Sequence, residues 1–204
     1  MNGRGKLITL EGVDGAGKST HIAFIADRLR AQGREVLVTR EPGGTPLAEK
    51  LRELVLNEPM DALAETLLMF AARADHVRLV IRPALDAGNW VVCDRFSDAT
   101  AAYQGAGKGV STELIQQLAE ATHPNLRPDR TLVFDCPYEI AKQRLSATGR
   151  RLDRFEREDR QFFERVRDAY LTRGASEPGR IRIIDASVTL ADIEKQLEHS
   201  IIFN

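Results

Sequence analysis

The segment that most constrains this chain is Gly12-Val13-Asp14-Gly15-Ala16-Gly17-Lys18-Ser19, which fits the pattern G-x-x-x-x-G-K-[ST]. Its surroundings are those the pattern requires. Leu7–Glu11 before it reads as a short apolar strand, and Ser19 to Arg30 after it carries Ile22, Ile25, Ala26 and Leu29 at helical spacing. Glycines let the backbone wrap closely around an anion in conformations that side chains would block, so that several N–H groups converge on it. The following helix presents its unpaired amides and its dipole to the same charge. The run from Gly12 to Thr20 is thus the expected cradle for nucleotide phosphates. Lys18 supplies a point charge to the β and γ phosphates, and the Ser19 hydroxyl is placed to ligate Mg²⁺.

Composition narrows the partners. A chain of 204 residues can bury one substantial core, and a single domain spanning 1–204 is expected. The formal net charge of −1 gives no electrostatic case for a nucleic acid polymer or an anionic membrane. No apolar run approaches a membrane span, and the first strand begins within a few residues of Met1, so neither a membrane segment nor a signal peptide is expected. Cys93 and Cys136 each lie at the end of an apolar strand without metal spacing, and read as buried thiols of a cytoplasmic protein.

Five apolar runs read as strands: Leu7–Glu11, Glu35–Thr39, Trp90–Asp94, Thr131–Asp135 and Ile181–Asp185. Helical segments alternate with them, which implies a mostly parallel sheet covered on both faces, with ligands at the carboxyl ends of the strands. The segments just after the strands are also the unusual ones. Arg40-Glu41-Pro42-Gly43-Gly44 forms a shaped loop, and Arg52 on the next helix is placed to reach back to it. Within a helix spanning about Leu63 to Leu85, Met69 and Phe70 neighbour Arg73, an apolar surface beside a guanidinium that suits a nucleobase with carbonyl acceptors. Asp94 and Asp135 both close apolar strands and are both candidates for organising Mg²⁺. Arg95, directly after Asp94, favours the first.

Thr100, Tyr103 and Gln104 share a helical face and all offer hydrogen bonds, whereas Gly105-Ala106-Gly107-Lys108-Gly109 reads as a flexible loop. From Arg144 onward arginines interleave with acids as on a solvated helix. The exception is Gly149-Arg150-Arg151, where glycine sets two arginines on a segment able to act as a lid, about 144–158. Asp185-Ala186-Ser187 sits where a base-binding loop would fall and equally where a helix N-cap would. The absence of an N-K-x-D guanine-reading motif weakens a GTPase reading, and the cations Arg40, Arg73 and Arg95 point to a kinase whose acceptor is itself an anion.

Together, Glu11 to Thr20, Thr39 to Thr45, Phe70-Ala71-Ala72-Arg73, Asp94-Arg95-Phe96, Ala102-Tyr103-Gln104-Gly105, Arg127-Pro128-Asp129 and Leu152-Asp153-Arg154 resemble the motifs of bacterial thymidylate kinases, in order and spacing. The resemblance implies a P-loop α/β fold with a five-stranded parallel sheet in the order 2-3-1-4-5, flanked by helices and carrying a mobile lid. It implies transfer of the ATP γ-phosphoryl group to dTMP with Mg²⁺, and a homodimer. Carried over by position, Asp14 binds the sugar 3′-hydroxyl, and Arg95 grips the dTMP phosphate with Arg40 and Glu41 nearby. Arg73, Thr100 and Gln104 read the thymine edge, Tyr103 crowds the 2′ position, and Met69 or Phe70 packs on the base. Arg144 joins Gly12–Thr20 on the ATP side, and Lys18, Asp94, Arg95, Arg150 and Arg151 form the catalytic set. Gly15 stands where one branch of the family carries an arginine, so the charge should come from Arg150 or Arg151 instead. Another (deoxy)nucleoside monophosphate kinase would keep the loop but differ between Arg73 and Gln104. A P-loop ATPase switch would turn over ATP without an acceptor.

Overall fold

The computed structural model describes residues 4–202. Five parallel strands form one sheet: β1 (Leu7–Glu11), β2 (Val36–Arg40), β3 (Trp90–Asp94), β4 (Arg130–Asp135) and β5 (Ile181–Asp185), in the order β2-β3-β1-β4-β5. Central β1 is buried along its whole length, as expected of an apolar strand with helices on both faces. Ile8 and Leu10 enter one core layer with Leu132, Val92 and Ile25; Leu7 enters the other with Val91, Cys93, Val77 and Ile81. This is the period-two alternation of a strand, used on both sides.

The helices are α1 (Lys18–Ala31), α2 (Pro46–Asn57), α3 (Ala62–His76), α4 (Arg82–Asp86), α5 (Ser97–Thr100), α6 (Thr112–Thr122), α7 (Tyr138–Ala147), α8 (Arg160–Ser176) and α9 (Leu190–Ser200). The second strand runs one residue later than the sequence suggests, and so includes Arg40. The helix expected from Leu63 to Leu85 is present but widens into a π-helical turn at Val77–Ile81. Pro83 follows directly, with no N–H to give and a ring that clashes with a regular preceding turn.

The loop expected at Gly105–Gly109 is a different structure. Ala101–Gly107 continues α5 as a π-helical turn, and Gly107 is buried where an added Cβ would lie 2.6 Å from Phe162 Cε2. Glycine serves here for close packing against α8, not for mobility. The N-cap of α9 is Thr189, so Ser187 does not take that role; its N–H and hydroxyl both bond the Asp185 carboxylate.

The register sets the site. Leu10 and Arg40 both pair with Asp94, and Glu11 pairs with Val133, so the functional residues leave the sheet along a single edge.

Candidate active site

At the carboxyl edge, β1 passes into a loop in which Gly12, Gly15 and Gly17 have φ of 127°, 81° and 93°. The first two are also sterically required: a Cβ on Gly12 would lie 2.5 Å from the Phe134 carbonyl oxygen, and one on Gly15 2.4 Å from that of Ala141. Helix α1 begins at Lys18 with no side-chain cap on Gly17, leaving its first amides for a ligand. Lys18 Nζ donates to the carbonyls of Gly12 (3.0 Å) and Val13 (2.9 Å). Burial, with the Arg95 charge adding to it, pushes this ammonium down to about 8.

Arg95 is the centre of a second cluster beside the loop. Its backbone sits at φ 69°, a left-handed conformation costly for a side-chain-bearing residue. Arg95 N–H donates to Leu10 O at 2.9 Å and Phe96 N–H to Glu11 Oε1 at 2.7 Å, which hold the turn. The guanidinium reaches Gly12 O (3.0 Å), the Tyr103 hydroxyl (3.0 Å) and the Asp14 carboxylate. Tyr103 in turn donates to Asp14 at 2.9 Å. Burial would raise the Asp14 carboxyl, but Arg95 and Lys18 beside it prevail and hold it below the usual range.

Arg73 is 3% exposed and forms a buried pair with Glu41 (Nε to Oε2, 2.7 Å). Glu41 also meets His76 Nδ1 at 3.0 Å, and Arg73 donates to Phe96 O (3.1 Å) and Thr100 Oγ1 (3.0 Å). Its remaining terminal nitrogen, Nη1, is buried with no partner among the described residues. Gln104 donates through Nε2 to the buried Glu65.

These groups line a common cavity of about 670 Å³. Asp14, Gly15, Gly17, Lys18, Ser19 and Thr20 of the loop and the start of α1 bound it, as do Arg144 of α7 and Arg150 just beyond that helix. Arg40, Glu41, Arg52, Met69, Arg73, Asp94, Arg95, Thr100, Tyr103 and Gln104 line the rest of its wall. Gly12, Val13 and Ala16 stand behind this wall; their carbonyls hold Lys18, Arg95 and Arg144.

Three ambiguities of the sequence acquire a geometry. Met69 lines the cavity, whereas Phe70 is 2% exposed, stacks against His123 and lies under the Arg73 guanidinium at 4.9 Å. Successive helical residues diverge by about 100°, so the two cannot both face the ligand. Arg150 lines the cavity; Arg151 is exposed and does not. Asp135 is chelated by Arg167 (2.6 and 3.0 Å), whereas Asp94, which lines the same cavity as Ser19, has a buried Oδ1 with no partner among the described residues. An oxygen acceptor so placed fits a hard cation such as Mg²⁺ held largely through water and phosphates.

Residues invisible as site candidates in the sequence also take part. Glu65 bonds Gln104 and His76 bonds Glu41 from outside the cavity, while Phe155 and Glu156 line it. Nothing in the spacing of these residues announces them; they are ordinary helix and loop residues brought in by the fold.

The family model described as thymidylate kinase matches residues 10–197. A thymidylate kinase of Bordetella pertussis is 58% identical over 201 residues, covering 98% of this chain and 96% of the relative. That of Cupriavidus necator is 55% identical over 197 residues, covering 96% and 97%. The crystal structure of a thymidylate kinase from Ehrlichia chaffeensis superposes with a TM-score of 0.79 at 32% identity, over 96% of this chain and 97% of that one. With a phosphate loop, an arginine-lined acceptor side and full-length likeness in sequence and fold, the chain belongs to the thymidylate kinase family.

Proposed function

We propose that this chain transfers the γ-phosphoryl group of ATP to dTMP, giving dTDP and ADP, with the cavity described above as its active site. The observation that carries the reading is Arg73. Its guanidinium is buried and neutralised by Glu41, yet keeps one unpartnered nitrogen in a residue that lines the phosphate-loop cavity. A buried donor without a partner costs about 1–3 kcal/mol, and a carbonyl oxygen on a pyrimidine base relieves that cost.

The other roles follow from charge and placement. The loop amides and Lys18 hold the ATP phosphates. Asp94 and Ser19 are the residues that would hold Mg²⁺, which would supply neutralisation of phosphate charge. Arg95, fixed by the loop carbonyl of Gly12, aligns the dTMP phosphate, and Asp14 takes the 3′-hydroxyl. Tyr103 presses on the 2′ position, while Arg73, Thr100 and Gln104 read the base over Met69. Arg40, Glu41 and Arg52 complete the acceptor wall. Lid residues 144–158 bring Arg144 to the ATP side and Arg150 to the developing charge while excluding water. No general base is required, because the attacking phosphate oxygen is already anionic.

A homodimer belongs to the same reading; the packed helices α2 and α3 leave Leu47, Leu54, Leu63 and Leu67 between 46% and 50% exposed, apolar surface of the kind a second copy covers. A cytoplasmic setting is part of it as well, and no helix among the described residues is long and apolar enough to cross a membrane.

The test is ADP release from ATP·Mg²⁺ with dTMP, dUMP, dCMP, dGMP and AMP offered separately. Strong stimulation by dTMP, less by dUMP and little by the rest is the expected order. Turnover without any acceptor, or preference for a purine monophosphate, would overturn the assignment.

A further inference from the structure

An amide side chain is ambiguous as a reader of bases, because one end accepts a hydrogen bond and the other donates. Which end faces the ligand is decided by whatever holds the opposite end. For Gln104 that is Glu65, on the first turn of α3 and 0% exposed. Glu65 Oε1 accepts from Gln104 Nε2 at 2.7 Å. Its other oxygen accepts from Lys108 Nζ at 2.8 Å and from Arg154 Nη2 at 2.5 Å. Two cations on the second oxygen keep this carboxylate an acceptor, and an acceptor can take only the NH₂ end of Gln104.

We propose that Glu65 is a positioning residue for nucleobase choice: by holding the NH₂ of Gln104 it commits the Gln104 carbonyl to the cavity, where it calls for a donor such as a ring N–H. This rests on the reading that Gln104 faces the base. Arg73 then offers a donor and Gln104 an acceptor to the same cavity. A 4-oxo pyrimidine presents the complement, a carbonyl oxygen next to N3–H. Cytosine presents the reverse, an amino group next to a bare N3, and would leave both protein groups facing their own kind. A mismatch of that sort is penalised far more heavily than a missing methyl group, because buried polar groups are left unpaired.

Glu65 also joins elements that are distant in the chain. Arg154, from the segment after Gly149, donates to Glu65 and to Val55 O at 2.7 Å, so the lid-side segment and the base reader share one carboxylate. The Gln104 orientation is accordingly strongest when that segment is seated as it is here.

The experiment compares kcat/KM for dTMP and dCMP, with KM for ATP, in Glu65→Gln, Lys108→Met and Gln104→Leu. In Glu65→Gln the new side chain can itself donate, Gln104 can rotate, and the dTMP/dCMP ratio narrows by about tenfold or more with KM for ATP little changed. Lys108→Met cuts a bond to the same carboxylate but leaves the Gln104 contact, so it should lower stability and keep the ratio. If Glu65→Gln leaves Arg154 and Lys108 too poorly compensated to fold, the double variant Glu65→Gln/Lys108→Met removes one of the two cations and carries the same expectation. A ratio that narrows in Gln104→Leu but not in Glu65→Gln overturns the orienting role while leaving the base reading intact. Equal narrowing in Lys108→Met overturns it too, since the effect is then one of packing. No change in Gln104→Leu instead removes the reading on which the proposal stands.

Discussion

Arg150→Met separates a catalytic arginine from a surface one. Arg150 lines the cavity, and its guanidinium is paired with both oxygens of Glu156, one of these contacts at 2.8 Å. The Arg150 side chain is 51% exposed but that of Glu156 only 5%, so solvent screens the pair in part and its net worth is about 1–3 kcal/mol. An arginine on a transferring phosphoryl group contributes on the order of 10³–10⁵ in rate, about 4–7 kcal/mol of barrier. Exchanging Glu156 for the phosphoryl oxygens therefore costs little against what it gains, and the present ion pair is no obstacle to the role. The expected result in a coupled ADP-release assay at saturating ATP and dTMP is a kcat loss of about 10³ or more for Arg150→Met. Binding of dTMP, followed by calorimetry, should change only a few-fold. Arg151, exposed and outside the cavity wall, should lose less than about tenfold as Arg151→Met, the scale of one modest polar contact. A larger loss in Arg151→Met than in Arg150→Met, or less than tenfold in Arg150→Met, would refute the assignment.

Two further outcomes concern the scaffold. Burial, together with the Arg73 charge, pushes His123 down to about 4, and its ring lies between Phe70 and Phe96. The folded protein therefore keeps His123 neutral while the unfolded chain takes up a proton below about 6.5. Its contribution is complete above pH 6.5 and is lost as pH falls toward 4, a change of about 3 kcal/mol. Urea unfolding should show this slope in the native protein and a shallower one in His123→Phe; parallel slopes would sink the idea. Gly107→Ala should lower stability by about 1–3 kcal/mol through contact with Phe162, with no backbone strain. Gly109→Ala meets nothing within 4 Å and should pay only its φ of 78°, about 1–2 kcal/mol. Both changes are read from urea midpoints, and repacking of Phe162 should make the Gly107 variant alone lose its near-ultraviolet aromatic signal.

The legible parts of this protein are those whose chemistry is local. A phosphate loop needs its glycines at fixed spacing, and a doubly covered strand needs an unbroken apolar run, so both can be read from neighbours in sequence. All five strands fall within a residue of their expected bounds for that reason. What spacing cannot show is the partner that decides between equivalent residues. Asp94 and Asp135 close strands alike, and the difference is Arg167, which lies 32 positions from Asp135 and occupies its carboxylate. Glu65 looks like a routine first-turn acid; its donors stand 39, 43 and 89 positions away. Gly107 reads as a breaker because glycine favours turns, yet the same lack of a side chain admits Phe162. Met69 and Phe70 differ only in helix phase, which tertiary packing sets.

The two halves of the site depend on one strand. Arg95 adopts φ 69° at a cost of about 1–2 kcal/mol, and the groups that hold it there are Leu10 O, the Glu11 carboxyl and Gly12 O. All three belong to the end of β1 and the first residue of the phosphate loop. Glu11 is itself fully buried, accepts from Phe96 N–H and the Tyr170 hydroxyl, and is raised by burial to about 8. In the proposed function, the strand that presents the loop to the donor phosphates thus also fixes Arg95, the cation assigned to the acceptor phosphate. In-line transfer demands that these two phosphates keep one separation and one angle. Building both anchors on consecutive residues Leu10, Glu11 and Gly12 makes that relation a property of a single rigid element, which on the proposed reading leaves only Arg150 and the exclusion of water to be supplied by the segment after α7.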